Sequence, residues 1–102
     1  MTPVVTERLA DLQALCRRHR VTRLAVFGSA VTGEFSPESS NLDFVVEFAE
    51  LEPVEHADSY LGLLLDLERL FGRRVDLVEE RAIRNPFFRQ GVDSSRRVLY
   101  AA

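Results

Sequence analysis

Apolar residues near the start of the chain recur at helical spacing. Val5, Leu9, Leu12 and Leu15 with Cys16 fall on one face, while Glu7, Arg8, Asp11, Arg17 and Arg18 fill the other. Thr2 and Pro3 supply a cap and a first-turn residue, so one helix is predicted here. The cluster Arg17, Arg18, His19 and Arg20 suits the negative end of its dipole, an explanation preferred to a partner-binding patch. Val21–Phe27 then reads as a short buried strand, apolar without alternation from Leu24. Gly28 ends it, Ser29 to about Gly33 can form a short helix, and Glu34–Ser40 (EFSPESS) is loop by composition. Asn41–Phe48 is a second strand, with Leu42, Phe44, Val46 and Phe48 on one face and Asn41, Asp43, Val45 and Glu47 on the other.

Ala49–Glu55 is acidic, contains Pro53 and is predicted as a loop. Tyr60, Leu63, Leu64, Leu67, Leu70 and Phe71 line one side of a helix from about His56 to Phe71, which Gly72 stops. Arg73–Val78 is a third strand. Asn85 and Pro86 cap and open a last helix through about Ser94, and Arg97–Tyr100 closes the chain as a short extended piece. Strands separated by helices imply a small α/β sheet with crossover connections; strand direction stays open.

A chain of 102 residues, 46% hydrophobic and 28% charged, suits one domain with a real core. A net charge of −3 argues against broad nucleic-acid binding, which needs a dense basic face. The single Cys16 has no disulfide partner within the chain and reads as a core residue; His19 and His56, with no zinc-type spacing around them, read as surface residues. The opening MTPVVTERLA is unlike a secretion signal, and no apolar run approaches the roughly 18–20 residues of a membrane span. A cytoplasmic protein is expected.

The chemistry gathers between residues 22 and 48. An aspartate among Leu, Phe and Val is costly to leave ionised without a partner, and Asp43 and Asp76 both stand so, in separate strands. Were those strands neighbours, the two carboxylates would converge and could share Mg²⁺. A nucleoside triphosphate would supply further oxygens, with Gly28 and Ser29 cradling its phosphates. Glu47 shares the Asp43 face but lies too far along the strand to reach the same ion. The bland alternative is that Gly28-Ser29 caps a helix while Asp43 and Asp76 pair with Arg73 or Arg74. Phe87 and Phe88 point about 100° apart on a helix, so one can fill the core while the other, with Tyr60 or Tyr100, offers a partner or homodimer contact.

The order strand, GS, short helix, loop, strand with NLD, helix, strand with VD resembles the minimal nucleotidyltransferase domain of the DNA polymerase β superfamily. The likeness runs from about Thr22 to Leu77, and the flanking helix and NPFF segment extend it over nearly the whole chain, residues 1–102 as a single domain. It implies a small nucleotidyltransferase-like mixed sheet flanked by helices, α/β (α+β) in class. The implied activity is Mg²⁺-dependent transfer of a nucleoside monophosphate, AMP from ATP, to a partner protein. Small bacterial members act as antitoxins paired with a HEPN-domain toxin, some by adding AMP to a toxin tyrosine. By position, Gly28 and Ser29 correspond to the phosphate-holding pair, Ser40 to a further nucleotide-binding residue, Asn41 and Asp43 to the metal-binding dyad, and Asp76 to the third carboxylate; Asp43 and Asp76 carry the catalytic role. Two departures stand out. The spacer before the dyad is one residue longer than usual, which a loop tolerates, and the first aspartate of the family is here Asn41. An amide is a neutral, weaker ligand, though its carbonyl oxygen can still coordinate. Asn41 therefore also opens the reading of a weakened pseudoenzyme that neutralises a toxin by binding alone.

Overall fold

The computed structural model describes residues 1–102. Its elements in chain order are α1 (Pro3–Thr6), α2 (Leu9–Arg18), β1 (Val21–Phe27), α3 (Ser29–Thr32), β2 (Leu42–Phe48), α4 (Pro53–Phe71), β3 (Val75–Glu79), a 3₁₀ turn (Glu80–Ala82), α5 (Pro86–Ser95) and β4 (Arg97–Ala101). The four strands form one mixed sheet in the order β3-β2-β1-β4. β1 runs antiparallel to both β2 and β4, whereas β2 and β3 are parallel. The parallel pair is joined by α4, long enough to cross back over the sheet. The architecture is α+β, a mixed sheet flanked by helices, as the resemblance implies.

The two sheet faces differ in depth. Leu24 and Val26 of β1, Leu42, Phe44 and Val46 of β2, Val75 and Leu77 of β3 and Leu99 of β4 pack against Leu12 and Cys16 of α2 and Leu63 and Leu67 of α4. Each such side chain removed from water contributes roughly 1.5–3 kcal/mol. The opposite face is thinner, with Ala25, Phe27 and Val45 meeting Val92 of α5. Central β1 is thus buried on both faces over its last four residues, matching its run without alternation. Cys16 is fully buried, and desolvation pushes its thiol up to about 12, so it is an unreactive core residue.

Three expectations need correction. The first helix is two: Thr2 caps α1, and the chain turns at Glu7-Arg8 before α2. Helix α4 begins at Pro53, inside the segment predicted as loop, because proline at the first helical position loses no hydrogen bond. His19 and His56 are not free surface residues. His19 Nε2 lies 2.6 Å from Asp66 Oδ2 and His56 Nε2 lies 2.6 Å from Glu79 Oε1, with all four side chains largely buried. The hydrogen bond from His19, ahead of the nearby Arg18 and Arg69 charges, holds Asp66 below the usual carboxylate range. Smaller shifts affect β3, which starts at Val75 rather than Arg73, and β2, which starts one residue after Asn41.

Gly62 of α4 makes room for the His19 ring: a Cβ there would stand 2.6 Å from its Cε1. In an open helix, alanine in place of glycine gains about 1 kcal/mol. Here it displaces a ring whose hydrogen bond to a charged group contributes about 1.5–3 kcal/mol. Gly62→Ala is therefore expected to lower the thermal midpoint, and in a His19→Ala background to raise it. A Gly62→Ala protein that melts higher than the parent would contradict this packing.

Candidate active site

The site is assembled where β1 ends beside the start of β2. Gly28 follows β1 with φ 74° and ψ −146°, a combination essentially confined to glycine. Its carbonyl accepts from the Val31 and Thr32 amides at 2.9 and 3.1 Å, which closes the single turn of α3. The Thr2 amide donates to the Ala30 carbonyl at 2.8 Å and ties that turn to the chain start. The Ser29 hydroxyl makes no hydrogen bond within the chain and is half-buried at the mouth of the turn.

Asp43 stands across from Phe27 in the antiparallel pair and across from Asp76 in the parallel pair. The register thus brings the two carboxylates side by side next to Gly28. A Cβ on Gly28 would lie 2.8 Å from Asp43 Oδ2, so only the bare backbone fits. Neither aspartate forms an ion pair; the arginine pairing considered from the sequence does not occur. Burial first, and then the hydrogen bond and negative charge of Asp76, push the Asp43 carboxyl up to about 6. Two carboxylates placed side by side with no arginine, lysine or histidine paired to them suit a shared divalent metal ion.

Asn41 lies two residues before Asp43, just ahead of β2 and half-buried, and its side chain makes no hydrogen bond within the chain. Ser40 is differently placed. Its hydroxyl accepts from the Ser36 amide at 2.9 Å, and its carbonyl accepts from Arg73 at 3.3 Å. Arg73 also lies over the Phe35 ring at 5.1 Å, so it holds the loop that leads to Asn41. No group of three or more His, Cys, Asp or Glu is arranged to hold a metal ion, and position 41 offers an amide in place of a carboxylate. The donor set is two carboxylates and an amide oxygen, hard oxygens that fit Mg²⁺ with water and phosphate completing the shell.

One participant had no signal in the sequence. Ser95, on α5, is the only buried polar residue, and its Oγ accepts from the Gly28 N–H at 3.0 Å. Asp43 is half-buried and Asp76 exposed. A cavity of about 680 Å³ sits at the other end of the sheet, lined by Glu47, Phe48, Glu55, His56 and Glu79 among others; the unpaired carboxylates, not cavity size, single out the candidate site.

Gly28→Ala combines a forbidden φ with contact on Asp43. It is expected to cost about 1–3 kcal/mol of stability and to displace the Asp43 carboxylate. Denaturant unfolding of the variant, with unchanged stability as the contrary result, tests this.

Residues 12–99 match the family model for the nucleotidyltransferase domain. A Methanocaldococcus jannaschii protein provisionally named protein adenylyltransferase MJ1379 is 31% identical over 93 residues, covering 83% of this chain and 91% of that one. A solved structure described as a minimal nucleotidyltransferase is 38% identical, with a TM-score of 0.70 over 91% of this chain and 90% of the other. The fold also recurs, at 19% identity and a TM-score of 0.65, in a Shewanella oneidensis structure of a tri-AMPylated HEPN toxin in complex with an MNT antitoxin, over 95% of this chain and 72% of the other. With its strand order and the Gly28, Asp43, Asp76 arrangement, the chain belongs to the nucleotidyltransferase-domain family, in its minimal form. No helix is long and apolar enough to cross a membrane.

Proposed function

We propose that the chain, acting as one domain, transfers AMP from ATP to a hydroxyl of a partner protein, and that the partner is a HEPN-type toxin which this chain neutralises. The observation that carries the reading is the side-by-side register of Asp43 and Asp76, free of any cationic partner, against the Gly28 turn. Support for the substrate and partner comes from the provisionally named adenylyltransferase relative and from the fold shared with the antitoxin bound to an AMPylated toxin.

In this reading Asp43, Asp76 and Asn41 hold Mg²⁺. A bound Mg²⁺ would supply charge neutralisation for the triphosphate. The Gly28–Ser29 backbone and the Ser29 hydroxyl orient the phosphates, since glycine admits them close to the main chain. Asp76, the exposed member of the pair, accepts the proton of the acceptor hydroxyl. That oxygen forms a bond to the α-phosphorus, and the bond to the bridging oxygen breaks to release pyrophosphate. Incubation with labelled ATP and the product of the neighbouring gene, with and without Mg²⁺, tests the proposal; absence of metal-dependent label on the partner contradicts it.

A second reading is favoured by one observation, the missing third carboxylate at Asn41. In that reading the chain is a binding module that neutralises its partner by steric pairing, with little or no transfer. Restoring the acid separates the two.

A further inference from the structure

We propose that Ser95 is a positioning residue that fixes the Gly28 turn for triphosphate binding. The inference rests on the reading of that turn as the phosphate holder. Ser95 is the single polar side chain in the core, 8% exposed, and it comes from α5, a helix outside the sequence signature. Its hydroxyl donates to the Gly91 carbonyl at 3.0 Å, which directs its hydrogen away from β1 and leaves its lone pairs to accept the Gly28 N–H at 3.0 Å. The relay orients the peptide unit between Phe27 and Gly28, and with it the glycine conformation that lets Asp43 Oδ2 approach. Without Ser95 that amide has no partner in a half-buried place, and the turn gains freedom to rotate toward other acceptors.

Ser94 supplies an internal control. Its hydroxyl donates to the same Gly91 carbonyl at 3.0 Å, but it faces solvent and does not reach Gly28. Ser95→Ala should therefore weaken Mg²⁺-ATP binding by about fivefold or more, the equivalent of one hydrogen bond, whereas Ser94→Ala leaves it unchanged. In the nucleotide-free protein, the Gly28 amide resonance should shift upfield and its proton should exchange faster in Ser95→Ala only, with Leu67 and Phe44 amides unmoved. Ser95→Cys, similar in shape with a weaker acceptor, should give an intermediate loss and serves if the alanine variant does not fold. Nucleotide affinity unchanged in both Ser95 variants overturns the positioning role, even if the Gly28 signal moves. A parent protein that binds no Mg²⁺-ATP overturns the nucleotide reading instead, and the Gly28 exchange rates then decide separately whether Ser95 holds the turn.

Discussion

Replacing Asp43 by asparagine is expected to abolish metal-dependent transfer while making the metal-free protein more stable at neutral pH. The loss follows from the site. A bound metal contributes several kcal/mol of charge stabilisation and about 1.4 kcal/mol is tenfold in rate, so losing a carboxylate ligand lowers turnover by about a hundredfold or more. The gain follows from the carboxyl's own proton affinity, which burial and Asp76 raise from an ordinary 3.8 to about 6. A group that binds its proton more tightly folded than unfolded contributes stability below its unfolded pKa. That contribution is lost as pH rises through the folded value. The metal-free parent should thus lose stability between about pH 4 and pH 6, and Asp43→Asn should not. Thermal melts of both proteins across that range, without metal, check the sign. Parallel pH profiles would mean that Asp43 is not held in the strained pairing described.

The second large effect is a gain. Asn41→Asp adds a third carboxylate two residues ahead of Asp43, and it supplies an anionic ligand where the chain offers only an amide. Mg²⁺ affinity and transfer rate should each rise by about tenfold or more, since a charged ligand adds more than about 1.4 kcal/mol over a neutral one. The metal-free variant should melt lower than the parent at pH 7.5, because a third like charge joins an unpaired acid pair, and Mg²⁺ should more than restore it. A variant no faster than a parent that itself transfers label would mean that Asn41 already serves as a complete ligand, which removes the ground for the binding-only reading.

Much of this site could be read along the chain because its signals are local. Gly28 after an apolar run, Asp43 two residues beyond Asn41, and Asp76 amid Val and Leu are each visible within one strand and its turn. The cap at Asn85 is equally local: its side chain accepts from the Phe87 and Phe88 amides at 2.8 and 3.1 Å. The paired aromatics divide only in part: Phe88 meets Phe27 edge-on at 6.0 Å yet stays 43% exposed, and Phe87 is 82% exposed, so neither fills the core.

What could not be read is set by contacts distant in sequence. The β2–β3 direction, which puts Asp43 beside Asp76, follows from how α4 crosses the sheet. Ser95 reaches Gly28 across 67 positions, and the partners of His19 and His56 lie 47 and 23 residues away. The start of α4 is a different failure. Pro53 reads as a breaker unless a helix is already known to follow it, whereas Asn85 marked Pro86 as a first-turn proline.

In the proposed function Asp43, Asp76 and the Gly28 turn form one metal-nucleotide site. Calorimetric titration of the parent protein with ATP, with and without Mg²⁺, tests it most directly. Saturable binding that depends on Mg²⁺ and disappears in Asp43→Asn is the predicted result. Binding of equal strength with and without the metal, or no binding under either condition, would contradict it.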